Sequence, residues 1–175
     1  MVRRLTLIAL AAALAACGRE PAPAAPESGP ALSASARATL DRYQDQARDF
    51  AAAIVENAGA ADELAAHADE LLASAEAVLP EFVAARPHCE PYLSEALRLR
   101  KLWTAMTPEQ IEAGYHKDGA LPAVEDAVSC YHMKDLVVHP LTALAFLAQD
   151  PPDAAAARRE IDEVIAHVTV VRDMR

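Results

Sequence analysis

The chain has 175 residues, 53% of them hydrophobic but only 5% aromatic, with 26 acidic against 16 basic side chains and a formal net charge of −10. A surface this acidic repels phosphate backbones and excludes nucleic acid as a partner. Forty-two alanines and only five glycines favour closely packed helices and leave no glycine-rich phosphate cradle.

The first element is a leader. Arg3 and Arg4 form a basic head, and Leu5 to Ala16 is an apolar run of twelve residues broken only by Thr6. That run is too short to span a bilayer as a helix but suits the core of a signal peptide. It ends in Leu14-Ala15-Ala16-Cys17. Basic head, apolar core, small residues and cysteine in this order resemble the lipobox of bacterial lipoproteins, over the first 17 residues only. The resemblance implies a signal peptide at 1–16, cut before Cys17, and acylation of Cys17 on sulfur and amine. Two or more chains anchor stably where one is marginal. Gly18 stands where an aspartate commonly marks inner-membrane retention in this class, which implies an outer-membrane anchor facing the periplasm. Loss of Arg3 and Arg4 leaves 14 basic side chains against 26 acidic, a charge of about −12, with no polybasic attraction to lipid headgroups.

Residues 17–35 follow as the lipidated cysteine and a tether. Pro21, Pro23, Pro26 and Pro30 alternate with alanine, serine and glycine there, a composition with no core of its own. Residues 36–175 are the size of one domain.

Leu40, Tyr43, Ala47, Phe50, Ile54 and Ala58 recur at helical steps and predict a first helix stopped at Gly59. Asp62 is the expected cap of a second, with stripe Leu64, Ala68, Leu71, Ala75 and Val78. Pro80 is expected to end or bend it, and Pro87 to close the region. Pro91 opens a third helix, with Tyr92, Ala96, Leu99, Trp103 and Met106 along one side. Thr107-Pro108-Glu109-Gln110 reads as a capping box with proline at the first helical position. Lys117-Asp118-Gly119 is a turn. Residues 122–138 predict a helix, and Pro140 the first turn of a separate buried helix, Leu141 to Ala148. Asp153 caps the last helix, whose stripe is Ala157, Ile161, Val164, Val168 and Val171. The fold class is all-α: a single helical bundle of five to seven helices with short connections and one disulfide.

That disulfide joins Cys89 and Cys130, the two cysteines left once Cys17 is lipidated, because an oxidising envelope favours pairing. A thiol metal site or a redox pair is the alternative, although catalytic dithiols sit two residues apart. The bridge draws His88 toward the segment of His132, and His132 and His139 are seven residues apart, on one helical face. His116 precedes the turn that leads back to Cys130. His88, His116, His132 and His139 are therefore candidate ligands for copper, zinc or haem, with Met133 as a soft donor. No HExxH or Cys-x-x-Cys-His motif occurs. Ser129, His132 and Asp135 fall on successive turns, but no nucleophile elbow accompanies them, so no catalytic residue and no enzyme activity are expected. Tyr92, Trp103, Tyr115 and Tyr131 read as core, with Trp103 or Tyr115 as interface anchors if exposed.

The expected function is that of a lipid-anchored, periplasm-facing helical domain with a non-catalytic binding or structural role. It would be held to the membrane by Cys17, would act through envelope protein partners and would need no cofactor. The alternative is a metal- or haem-binding lipoprotein built on those four histidines.

Overall fold

The computed structural model describes residues 30–56, 60–125 and 127–174. The lipobox, Cys17, most of the tether and the Gly59 stop lie outside the described residues.

Helix α1 spans Ala34–Glu56. Ser33 caps it, its hydroxyl accepting from the Ala36 N–H at 3.1 Å, and Leu32 before the cap is already buried. The α1 stripe Leu40, Tyr43, Ala47, Phe50 and Ile54 is buried throughout. Helix α2 spans Ala61–Ala85. Asp62 is not its cap. The N-cap is Ala60, which makes no side-chain bond, and Asp62 and Glu63 sit in the first turn, where their charge favours the helix dipole. Pro80 lies inside α2, which runs on to Ala85, and Pro87 then opens a 3₁₀ turn, Pro87–Cys89.

Residues 86–125 cross from α2 to the next long helix in short pieces. Helices α3 (Glu90–Leu97) and α4 (Leu99–Leu102) are followed by a 3₁₀ turn at Trp103–Ala105. Trp103 is half-buried against the core. Helix α5 (Pro108–Ile111) opens with the capping box: the Thr107 side chain accepts from the Gln110 N–H and the Gln110 side chain from the Thr107 N–H. The chain then widens into a π-turn, Glu112–His116. Three backbone bonds close it: Lys117 N–H to Glu112, Gly119 to Ala113 and Ala120 to Gly114. Asp118 takes φ +57°, a left-handed conformation that aspartate tolerates better than most residues. A Cβ at position 119 would stand 2.5 Å from the Ala113 carbonyl oxygen, so only glycine fits.

Helix α6 spans Ala127–Leu147 without interruption. The expected break at Pro140 does not occur, and residues 122–125 are not helical. A proline cannot donate to the carbonyl four residues back. The orphaned Leu136 carbonyl instead accepts from the Tyr43 hydroxyl of α1 at 2.7 Å, deep in the core. Helix α7 spans Ala154–Asp173; Asp153 caps it, accepting from the Ala156 N–H at 2.8 Å, and its stripe Ala157, Ile161, Val164, Val168 and Val171 is fully buried.

The four long helices form a closed ring of neighbours: α1 with α2, α2 with α6, α6 with α7, and α7 with α1. α1 and α7 are antiparallel, since Asp41 meets Arg172, Gln44 meets Thr169 and Ala51 meets Arg158. The described residues contain helices and turns and no strand. None of these helices is long and apolar enough to cross a membrane. Cys89 and Cys130 are a buried disulfide with Cα atoms 5.3 Å apart. It ties the end of α2 to the start of α6 and closes a loop worth about 4 kcal/mol in the chain-entropy model.

Candidate functional site

Helix α6 carries His132, Asp135, His139 and Thr142 at steps of three and four residues, so they share one face. That face meets α7, where Glu160, Glu163 and His167 repeat at similar steps, one residue ahead of the buried stripe Ile161, Val164 and Val168. The π-turn supplies a third wall through His116 and the carbonyls of Tyr115 and His116.

Lys134, Asp135, His139 and Thr142 are all buried, the first two completely. Burial of such groups is costly unless they are partnered. Lys134 is well partnered: its Nζ donates to the Tyr115 carbonyl at 2.7 Å, the His116 carbonyl at 3.2 Å and Asp118 Oδ1 at 2.9 Å. It also stands 4.4 Å from the centre of the Tyr131 ring. Asp118 accepts in addition from the Tyr92 hydroxyl at 2.8 Å. Lys134 thus locks the left-handed turn to α6.

Asp135 is different. Neither carboxylate oxygen makes a hydrogen bond, although Lys134 Nζ and His167 Nδ1 each stand 3.4 Å away. Around it the imidazoles form a chain. His116 and His139 rings are 4.7 Å apart, His139 and His167 are 5.0 Å apart, and His167 and His132 are 5.0 Å apart. Glu160 Oε2 lies 2.7 Å from His139 Nδ1 and 3.4 Å from His116 Nε2. His132 Nδ1 faces His167 Nδ1 at 2.8 Å. His139 Nε2 is buried with no hydrogen bond.

Burial pushes His167 down to about 4, outweighing the upward pull of Asp135, and burial also lowers His132. Both are neutral near pH 7, the form that carries a free lone pair. Burial works to raise Glu160, but the bonds from His116 and His139 prevail and hold it at about 2, ionised. Tyr131 is pushed up to about 12 by burial and by Asp135.

Among the described residues, His116, Asp135 and His139 offer ligand atoms within 4.8 Å of one another. The ligand–ligand edge of a tetrahedral ion with bonds near 2.1 Å is about 3.4 Å, so small side-chain rotations would close the set. His88, Cys89 and Cys130 are similarly close, but their sulfurs are committed to the disulfide. His88 is exposed, its Nε2 3.6 Å from Cys89 Sγ, and it takes no part in the ring chain. Met133 packs into the apolar core. Ser129 Oγ is buried without a hydrogen-bond partner and Asp135 stands beside His167, so Ser129, His132 and Asp135 form no catalytic relay.

Of the histidines picked out by spacing, His116, His132 and His139 belong to the cluster and His88 does not. Sequence reasoning missed Glu160, Glu163 and His167. A signal was present: residues 160 and 167 are seven apart on α7, the same interval as 132 and 139 on α6. Comparison with protein-family profiles, with curated proteins and with solved structures finds no match.

Proposed function

We propose that this protein is a lipid-anchored envelope domain that binds a transition-metal ion, zinc or copper, in the seam between α6 and α7. The observation that carries the proposal is Asp135, a fully buried carboxylate with no hydrogen bond, set among imidazoles. Its nearest cation, Lys134 Nζ at 3.4 Å, donates its hydrogen bonds to two carbonyls and Asp118 instead, and a metal ion would complete the carboxylate. His116, His139 and Asp135 would supply two nitrogens and one oxygen, with Glu160 against both imidazoles. Imidazole with carboxylate suits zinc or copper better than calcium or magnesium, which prefer oxygen alone. The rings touch one another directly, which favours a bare ion over haem. The role is non-catalytic binding, with Cys17 and the tether holding the domain at the membrane.

The test is native mass spectrometry of the mature protein in detergent, offered zinc and then copper. Bound metal is expected, with loss in Asp135→Asn and in His139→Gln. An apo mass after both metals overturns the reading. Radiolabelled palmitate should enter the protein and fail to enter Cys17→Ser.

A second reading, docking of an envelope protein, has one specific support. A shallow groove of about 590 Å³ is lined by Ala105, Met106, Gln110, Ala113, Gly114 and Ala120. Crosslinking from Gln110→Cys in intact cells would capture such a partner, and an absence of adducts there counts against it.

A further inference from the structure

The donor groups of the seam outnumber what one ion needs, and they fall into two sets. His116, His139 and Glu160 form one, joined by contacts of 2.7 and 3.4 Å. His132 and His167 form the other, with their Nδ1 atoms 2.8 Å apart. Asp135 belongs to both. It lies within ligand reach of His116 and His139, while its Oδ2 is 3.4 Å from His167 Nδ1, the length of a tetrahedral ligand edge. The sets adjoin, since the His139 and His167 rings are 5.0 Å apart.

We infer that the seam is a dinuclear metal centre in which a second ion binds His132 and His167 and the Asp135 carboxylate bridges the two ions. The inference rests on the metal-binding reading above and extends it. A carboxylate bonds different ions through its two oxygens, and paired ions in proteins stand about 3.5–4 Å apart. Both Asp135 oxygens lack a hydrogen bond, so a metal would displace no hydrogen-bond donor, only the 3.4 Å approach of the Lys134 ammonium to Oδ1. His139 in the first set is almost wholly buried, while His116, Glu160, His132 and His167 are all partly exposed. Three protein ligands would leave the second ion an open position, the arrangement of ions that take up an external ligand.

Metal content and copper electron paramagnetic resonance of the full-length protein test the inference. Wild type should hold two ions per chain, and the Cu(II)-loaded form should show the half-field signal of a coupled pair. His132→Gln and His167→Gln, each on a partly exposed side chain, should each drop the count from two to one and restore an ordinary mononuclear copper spectrum. Asp135→Asn should abolish the coupling. Circular dichroism and the non-reduced mass confirm the fold of each variant. One ion in wild type, kept in His132→Gln and His167→Gln but lost in His139→Gln, overturns the second position and leaves the mononuclear site standing. Two ions without magnetic coupling overturn the bridge. No ion in wild type overturns both proposals.

Discussion

Toward α1 and α2, helix α6 belongs to an apolar cluster that includes Leu136, Val137, Leu141 and Leu144 with Leu64, Leu71, Val78 and Phe82 of α2. The buried polar contact on that side is a repair, the Tyr43 hydroxyl bonding the carbonyl that Pro140 leaves vacant. Toward α7 and the π-turn, the same helix presents Lys134, Asp135, His139 and Thr142. The first seam gains stability from area removed from water. The second spends helix surface on groups that are expensive to desolvate and leaves one carboxylate without a hydrogen bond. A fold needs the first seam; the metal proposed above would give a reason for the second.

The largest expected effect is on the apolar side. Phe82→Ala should cost about 4 kcal/mol in urea unfolding through the cavity it leaves, yet keep metal uptake per folded chain unchanged. Lost uptake would show that the two seams are not separable. On the polar side, Lys134→Met should cost about 3 kcal/mol, because Asp118, Asp135 and two carbonyls lose a buried partner. Lys134→Met with Asp135→Leu should recover part of that loss while abolishing metal binding. If the double variant is no more stable than the single one, the unpaired carboxylate is not the source of the cost.

Tyr43→Phe should cost about 1–2 kcal/mol by stranding the Leu136 carbonyl; no loss would mean that α6 tolerates Pro140 unaided. The same phenol offers a pH test. Burial raises Tyr43 well above its ordinary value near 10, with Asp135 adding to it, and burial followed by the bond to Asp118 raises Tyr92. The folded state favours the neutral phenols. Stability is therefore intact below pH 10 and falls as the unfolded chain ionises above it. Phenolate absorbance at 295 nm should rise at higher pH in the native protein than in guanidinium, and coincident curves would contradict this burial. The smallest effect is expected for His88→Ala, within about 0.5 kcal/mol and with metal content unchanged; a lost ion would bring His88 back into the site.

The legible parts of the site were those on one helix. His132, Asp135 and His139 share a face by spacing alone, and the Thr107 and Asp153 caps and the 117–119 turn are local chemistry that neighbouring residues dictate. Asp62 misled because a helix can begin two residues earlier and still use an acid in its first turn. Pro140 misled because the group that compensates for it, Tyr43, is 97 residues away along the chain.

By itself the sequence determined which faces of α1, α2 and α7 are buried, since apolar period and helical period coincide there. It also paired Cys89 with Cys130. The tertiary structure alone decided that α6 runs through Pro140, that His167 and Glu160 join His116 and His139, and that His88 stays outside. Convergence of side chains from three segments depends on how each helix is rotated against its neighbours, and that rotation is set by packing across the whole core.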